Sequence, residues 1–277
     1  MRPTATLVQR RATDVRLFGA AGYALALQLG HPTIAAGVRH HSNFTADPWG
    51  RLVGTVDFVN LLVYGTPDQT STATRNLRAA HARIRGTDAH GHRYTALDPQ
   101  AYAWVHATLA DAIVRGHQVF GTALNDAQKD RFWREWMALG AQMGVRPAEL
   151  PATWVGFCDY RRDVIDNLLE HNDMIEVAQD VAADASGGSP LPWLPPRVWA
   201  IAGRPLGRYG AFLARGMMGA RVREKFQVPW SAQRQRAFVA IAAAHRAAGP
   251  VMPPPLRHAG PAVLKLRRRE IAQGPFA

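Results

Sequence analysis

His81 sits in "RNLRAAHARIRG", residues 75–86. Leu77, Ala80, His81 and Ile84 fall at i, i+3, i+4 and i+7, one face of a helix. Arg75, Arg78, Arg83 and Arg85 mostly take the other faces, and Gly86 is expected just past a helix end near Arg85. An imidazole on that stripe is drawn out of water and needs partners for its ring nitrogens. It is either a core histidine bonded to a backbone carbonyl or a ligand to a metal or a haem iron. A second stretch, "DPWGRLVGTVDFVNLLVYG" (47–65), sets Arg51, Thr55, Phe58 and Leu62 on one face. An arginine on an otherwise apolar face is costly unless it is paired. Arg51 either reaches solvent or an acid such as Asp47, one turn away, or offers a cation and a donor to a buried site.

The connection between the two stretches decides how much they can do together. "GTP" (65–67) is short, so the helices on either side of it are expected to form an antiparallel hairpin. Arg51 lies 15 residues before Thr66 and His81 lies 15 residues after it. At the helical rise both stand at the same height, roughly 22 Å from the turn. Thr55 is one turn closer. A cationic donor, a hydroxyl and an imidazole are thereby set to converge. A flat cofactor between them requires helices splayed beyond the usual ~8–10 Å.

The elements that must hold these groups read as helical nearly throughout. Proline at a first helical position recurs behind a capping residue at Asp47-Pro48 and Asp98-Pro99, and Pro32 opens another helix. Asn125 and Ser231 are further N-cap candidates, and Gly65 and Gly144 end helices. The pattern predicts helices over 14–30, 32–41, 48–64, 68–85, 99–120, 126–143, 151–170, 173–184, 196–218, 232–247 and 260–270. No run alternates with the two-residue period of a half-buried strand, and there is no internal repeat. The expectation is an all-α fold of about ten helices in a single domain, 1–277. Residues 1–13 form an N-terminal tail, 185–196 ("ASGGSPLPWLPP") an internal linker, and 197–277 a basic part that packs on the core.

Composition excludes several classes of function. The chain has 277 residues and one cysteine, Cys158. That rules out a disulfide framework, a cysteine-rich zinc site and covalent c-type haem attachment. There is no Ser-His-Asp order, phosphate loop, dinucleotide fingerprint or H-E-x-x-H motif. The net charge is +12, and residues 197–277 hold 15 Lys and Arg against two acids. No nucleic-acid-binding motif accompanies this charge, so no nucleic-acid partner is expected. Peripheral contact with an anionic membrane, through "LKLRRRE" (264–270), competes with the simpler reading that these arginines pair within the fold or are solvated. Arg10 and Arg11 precede the uncharged run "LFGAAGYALALQLG", loosely like a twin-arginine signal. Asp14 and Arg16 interrupt that approach, and the run is short of the ~20 residues that span a bilayer. It reads as a buried helix of a cytoplasmic protein, with export as the alternative.

Several segments together resemble one family. "GHPTIAAGVRHHSNFTADPWGRLVGT", "LRAAHARIRG", "YTALDPQAYAWVHATLADA", "GVRPAELPATWVGFCDY" and "VREKFQVPW" stand in the same order as in the latex clearing proteins (rubber oxygenases) and MpaB-type oxygenases. The similarity runs from about residue 14 to residue 270. It implies an all-helical protein with haem b between core helices and an oxygenase acting on an apolar, isoprenoid-like substrate with dioxygen or peroxide. It also implies His81 as axial iron ligand, with Arg51 and Thr55, matching an R-x-x-x-T pattern, as catalytic residues on the distal side. The sequence departs from the family at Gly54, where rubber enzymes can carry a lysine, and at Gly86, where they have a second histidine. Both departures weigh against rubber cleavage itself.

Other histidines compete for these roles. His106, in "WVHATL", shares a stripe with Tyr102, Leu109, Ile113, His117 and Phe120. It is the rival axial ligand, or else a core or propionate-binding residue. His40 and His41 follow Arg39 and either line the distal side or, with Arg39, bind propionates, or form a solvated helix end. "HGH" (90–92) is an exposed loop. Two further readings use the same helices: a haem-binding or sensing protein without turnover, and a haem-free helical protein that binds an apolar ligand.

Overall fold

Proline and a short polar cap set where most of the helices begin. The computed structural model describes residues 5–184, 195–253, 257 and 260–266. Among them run α1 (Leu7–Arg11), α2 (Phe18–Leu29), α3 (Pro32–His41), α4 (Pro48–Tyr64), α5 (Pro67–Ala82), α6 (Pro99–Phe120) and α7 (Asp126–Met143). They are followed by α8 (Trp154–Asp163), α9 (Asp173–Asp184), α10 (Pro196–Met217), α11 (Gly219–Lys225), α12 (Ala232–Ala248) and α13 (Gly260–Leu266). The fold is all-α but for one small hairpin. Asp47 caps α4 by accepting from the Gly50 amide at 2.9 Å, and Asp98 caps α6 through the Ala101 amide at 2.9 Å. Thr66 with Gln69, and Asn125 with Gln128, form reciprocal capping boxes at α5 and α7.

The uncharged run after Arg16 becomes α2, the central helix, which packs on α6 and α10. Glycine permits this closeness. A Cβ at Gly19 would stand 2.5 Å from the Leu213 Cβ, and one at Gly22 would stand 2.8 Å from the Ala214 Cβ. Both distances are impossible for real atoms, so α2 and α10 approach at these positions only without side chains. On its other side α2 meets α6, where the Trp104 indole donates to the Leu27 carbonyl at 3.0 Å. Trp133 stacks on Phe157 and Phe132 on Trp136 to extend the core towards α7 and α8.

Four expectations differ from the structure. The helix carrying His81 ends at Ala82, and Gly86 lies instead in a strand, Arg85–Thr87, paired antiparallel with Arg93–Thr95. Gly86 faces Tyr94, whose hydroxyl oxygen would be 2.6 Å from a Cβ there. Close packing rather than a helix end therefore explains the glycine, and strands of three residues are too short to show an alternation. The segment read as a tail contains α1, with Leu7 and Val8 buried and the Val8 amide donating to Glu135 on α7 at 2.9 Å. Asp14 and Arg16, which break up the twin-arginine pattern, form a buried ion pair at 2.6 Å. The helix expected over 151–170 is α8 followed by a π-helical turn, Val164–Leu168. Of the linker expected over 185–196, residues 185–194 lie outside the described residues and Pro196 already begins α10, while the arginines at 267–269 also lie outside them.

Candidate active site

Helices α2, α3, α4, α9 and α10 surround a cavity of about 280 Å³. Its walls are mainly apolar, with Phe18 and Leu25 from α2, Ile34 and Val38 from α3, and Trp49 and Leu52 from α4. Few polar side chains interrupt them, and two of these are Arg51 and Thr55. Arg51 is exposed overall, yet it lines the cavity. Partial burial lowers the pKa of its guanidinium. Asp47, its candidate partner, is turned to the α4 cap instead. Among the described residues no carboxylate pairs with Arg51. The Thr55 hydroxyl donates to the Arg51 carbonyl at 3.0 Å, one turn back on α4.

The hairpin brings His81 close to Arg51. Burial is the main cause that lowers the His81 pKa to about 4, and the charges of Arg51 and Arg78 lower it further. The ring is therefore neutral at pH 7. It meets Tyr102 edge-on with centroids 5.8 Å apart. Its Nδ1 is buried without a hydrogen-bond partner. His81 is not among the side chains that line the cavity. Arg51 is thus the group shared between the cavity and the neighbourhood of His81.

The remaining candidates lie elsewhere. His106 is buried in the core, stacked on Trp136 with centroids 5.1 Å apart, with Nε2 3.0 Å from the Trp136 carbonyl. That carbonyl only accepts, so Nε2 carries the proton. Burial lowers the His106 pKa to about 4. Arg39 is exposed and pairs with Asp173, and the His41 Nε2 is 3.2 Å from the Tyr94 hydroxyl. Neither lines the cavity. Two residues that do line it, Gln179 and Arg215, were missed in the sequence. A signal was present for Arg215: Ala211, Arg215 and Met218 share a helical face (i, i+4, i+7), the same pattern that singled out Arg51. The excess of arginine in the C-terminal third hid it.

The domain family described as "ER-bound oxygenase mpaB/B'/Rubber oxygenase, catalytic domain" matches residues 9–247. The chain belongs to this oxygenase family. Two relatives, uncharacterized proteins of Mycobacterium bovis and Mycobacterium tuberculosis, are each 26% identical over 231 residues, covering 82% of this chain and 86% of their own length. No solved structure matches the chain.

A family oxygenase that uses haem needs one protein imidazole at the iron, the porphyrin supplying the equatorial ligands. His81 suits that requirement: it is neutral, and its Nδ1 is buried and unclaimed. Among the described residues no group of three or more His, Cys, Asp or Glu is placed to bind a bare metal ion. His81 is thus a single imidazole that could serve a haem iron. Among the described residues no helix is long and apolar enough to cross a membrane.

Proposed function

We propose that the chain is a haem b-dependent oxygenase of the MpaB/rubber oxygenase family, acting on an apolar substrate with dioxygen or peroxide, and that it works in the cytoplasm. One observation carries the reading: a neutral imidazole with an unclaimed ring nitrogen lies beside a cation without a carboxylate partner, at the edge of an apolar cavity. Haem, when bound, supplies the redox chemistry that lets dioxygen or peroxide react with an organic molecule. His81 would hold the iron, and its low pKa keeps the ring neutral, the form that ligates, down to mildly acidic pH.

Arg51 supplies fixed positive charge where negative charge develops during turnover. Partial burial lowers its pKa, and a donor already placed on the cavity wall needs little reorganisation at that moment. Thr55 holds its hydroxyl proton on the Arg51 carbonyl in the resting protein, one bond rotation from the cavity. The apolar side chains of α2, α3 and α4 bind the substrate and exclude water. Arg39, His41 and His106 remain candidates for the haem periphery through the resemblance alone.

A second reading rests on the position of His81 off the cavity wall. The cavity would then bind an apolar ligand without haem. The optical spectrum of the purified protein separates the two. The oxygenase reading expects a Soret band in the wild-type protein and its loss in His81→Ala, with the helical circular dichroism retained. No Soret band after haem reconstitution would remove the oxygenase reading and leave the second. Product formation with dioxygen or peroxide then distinguishes an oxygenase from a haem protein without turnover.

A further inference from the structure

The cavity has a second arginine on a different wall. Arg215, near the C-terminal end of α10, lines it together with Gln179 of α9. The Arg215 Nη2 donates to the Gln179 Oε1 at 3.3 Å. Its backbone carbonyl accepts from the Arg223 Nη1 at 3.2 Å, which ties down the last turn of α10. Burial is the main cause that lowers the Arg215 pKa, with Arg234 adding to it and Asp180 opposing it from a distance. Among the described residues no carboxylate pairs with Arg215. Other arginines on the C-terminal elements are engaged: Arg221 takes Asp166, and Arg223 lies over the Trp230 ring at 4.9 Å.

A partly desolvated guanidinium that meets only a neutral amide is short of a counter-charge. A carboxylate would complete it, because the fork of a guanidinium takes two carboxylate oxygens side by side. The rest of the chamber favours hydrocarbon. Among its polar residues Gln28 is already bonded to Thr108 at 2.9 Å, and Arg51 lies on the α4 wall beside His81. Phe18 and Leu29, the two ends of α2, both line the cavity, so it runs roughly 16 Å along that helix at 1.5 Å per residue.

We infer that Arg215, steadied by Gln179, anchors the carboxylate of an apolar carboxylic acid whose hydrocarbon body fills the cavity. The acid end lies at α10 and the hydrocarbon extends towards Arg51 and Thr55. This assignment rests on the oxygenase reading for the use of the cavity as a substrate chamber, but binding can be read without turnover. The same chemistry, a carboxylate on an apolar body, is present in a haem propionate, so the test has an arm for each source.

Calorimetry of the purified protein with dodecanoic acid, dodecanol and methyl dodecanoate measures the preference for a carboxylate. Soret absorbance per chain measures haem content in the same samples. The variants are Arg215→Gln, Arg215→Lys and Arg51→Gln, each checked for folding by its thermal transition. The acid is expected to bind about tenfold or more tighter than the alcohol and the ester, ~1.4 kcal/mol. Arg215→Gln is expected to erase that preference with haem content unchanged, and Arg215→Lys to restore much of it. If Arg215→Gln instead lowers haem content, Lys restores it, and wild type shows no preference for the free acid, the anchored carboxylate is a propionate. The inference is overturned if neither the acid preference nor haem content depends on residue 215. It is equally overturned if Arg51→Gln, and not Arg215→Gln, removes the acid preference. A protein with no Soret band that still prefers the acid would lose the oxygenase reading and keep this one.

Discussion

Desolvation acts on the guanidinium of both Arg161 and Arg51, in surroundings that differ in the counter-charge they supply. Arg161, on α8, donates to Asp111 of α6 at 2.6 Å, and the other Asp111 oxygen accepts from the Tyr23 hydroxyl at 2.7 Å. The Asp111 carboxylate raises the Arg161 pKa well above its ordinary value. The Asp111 side chain is only 2% exposed, so this network joins α2, α6 and α8 by charge that is balanced on the spot. Arg51 faces the cavity with no carboxylate partner among the described residues, and burial lowers its pKa. A balanced buried charge fixes how helices meet, whereas an unbalanced one is a cost that a ligand or a developing charge can relieve.

The largest expected effect comes from unbalancing the first region. Asp111→Ala leaves the Arg161 cation and the Tyr23 hydroxyl without their partner, and should destabilise the fold by ~3–5 kcal/mol. Urea unfolding measures it. A loss below about 1 kcal/mol would mean that water or a rearranged side chain replaces the carboxylate, and the contrast with the cavity would weaken.

The reverse is expected at Arg51. Arg51→Ala should leave stability within about 0.5 kcal/mol and retain haem, yet reduce turnover by ~10²–10³. Steady-state rates beside the unfolding curve decide it. Full turnover would remove Arg51 from the chemistry, and a large loss of stability would make it a structural residue like Arg161.

Lowering the pH tests the buried histidines, of which His81 lies beside Arg51. His31, His81, His106 and His117 each have a pKa lowered to about 4, with burial as the main cause. Above the ordinary value of 6.5 they are neutral in both the folded and the unfolded chain and contribute no pH dependence. Between about 6.5 and 4 only the unfolded chain takes up protons, so stability falls as pH falls, by ~1.4 kcal/mol per unit of pH for each histidine at most. Urea midpoints at pH 7, 6 and 5 follow this window. His106→Gln should flatten the curve, and an unchanged slope would show that His106 is open to protons in the folded state.

The smallest effect is expected from Thr55→Ala. The hydroxyl bonds only to a carbonyl of its own helix, and alanine favours helix, so stability should change by no more than about 0.5 kcal/mol. Turnover should fall with haem content unchanged. Wild-type turnover in this variant would confine the catalytic contribution of α4 to Arg51.

The sequence determined the helical fold, the caps that start α4, α6, α7 and α12, and the pairing of Arg51 with His81 across a short hairpin. These are local properties: a proline and a polar cap set a helix start, periodicity sets a face, and a short connection sets the neighbour. The resemblance added the oxygenase family, which the match over residues 9–247 bears out. The strand pair that holds Gly86 and the α1 packing were not legible, because each depends on a residue distant in the chain, such as Tyr94 or Glu135. Only tertiary structure decided that Arg161 finds an acid on another helix while Arg51 and Arg215 find a cavity; Arg16 takes its acid, Asp14, from two residues away. Arg51, Arg161 and Arg215 are all arginines on helices, and their sequence neighbours do not separate them. What separates them is whether another element delivers a carboxylate to the same place, and that depends on how α2, α6, α8 and α10 pack.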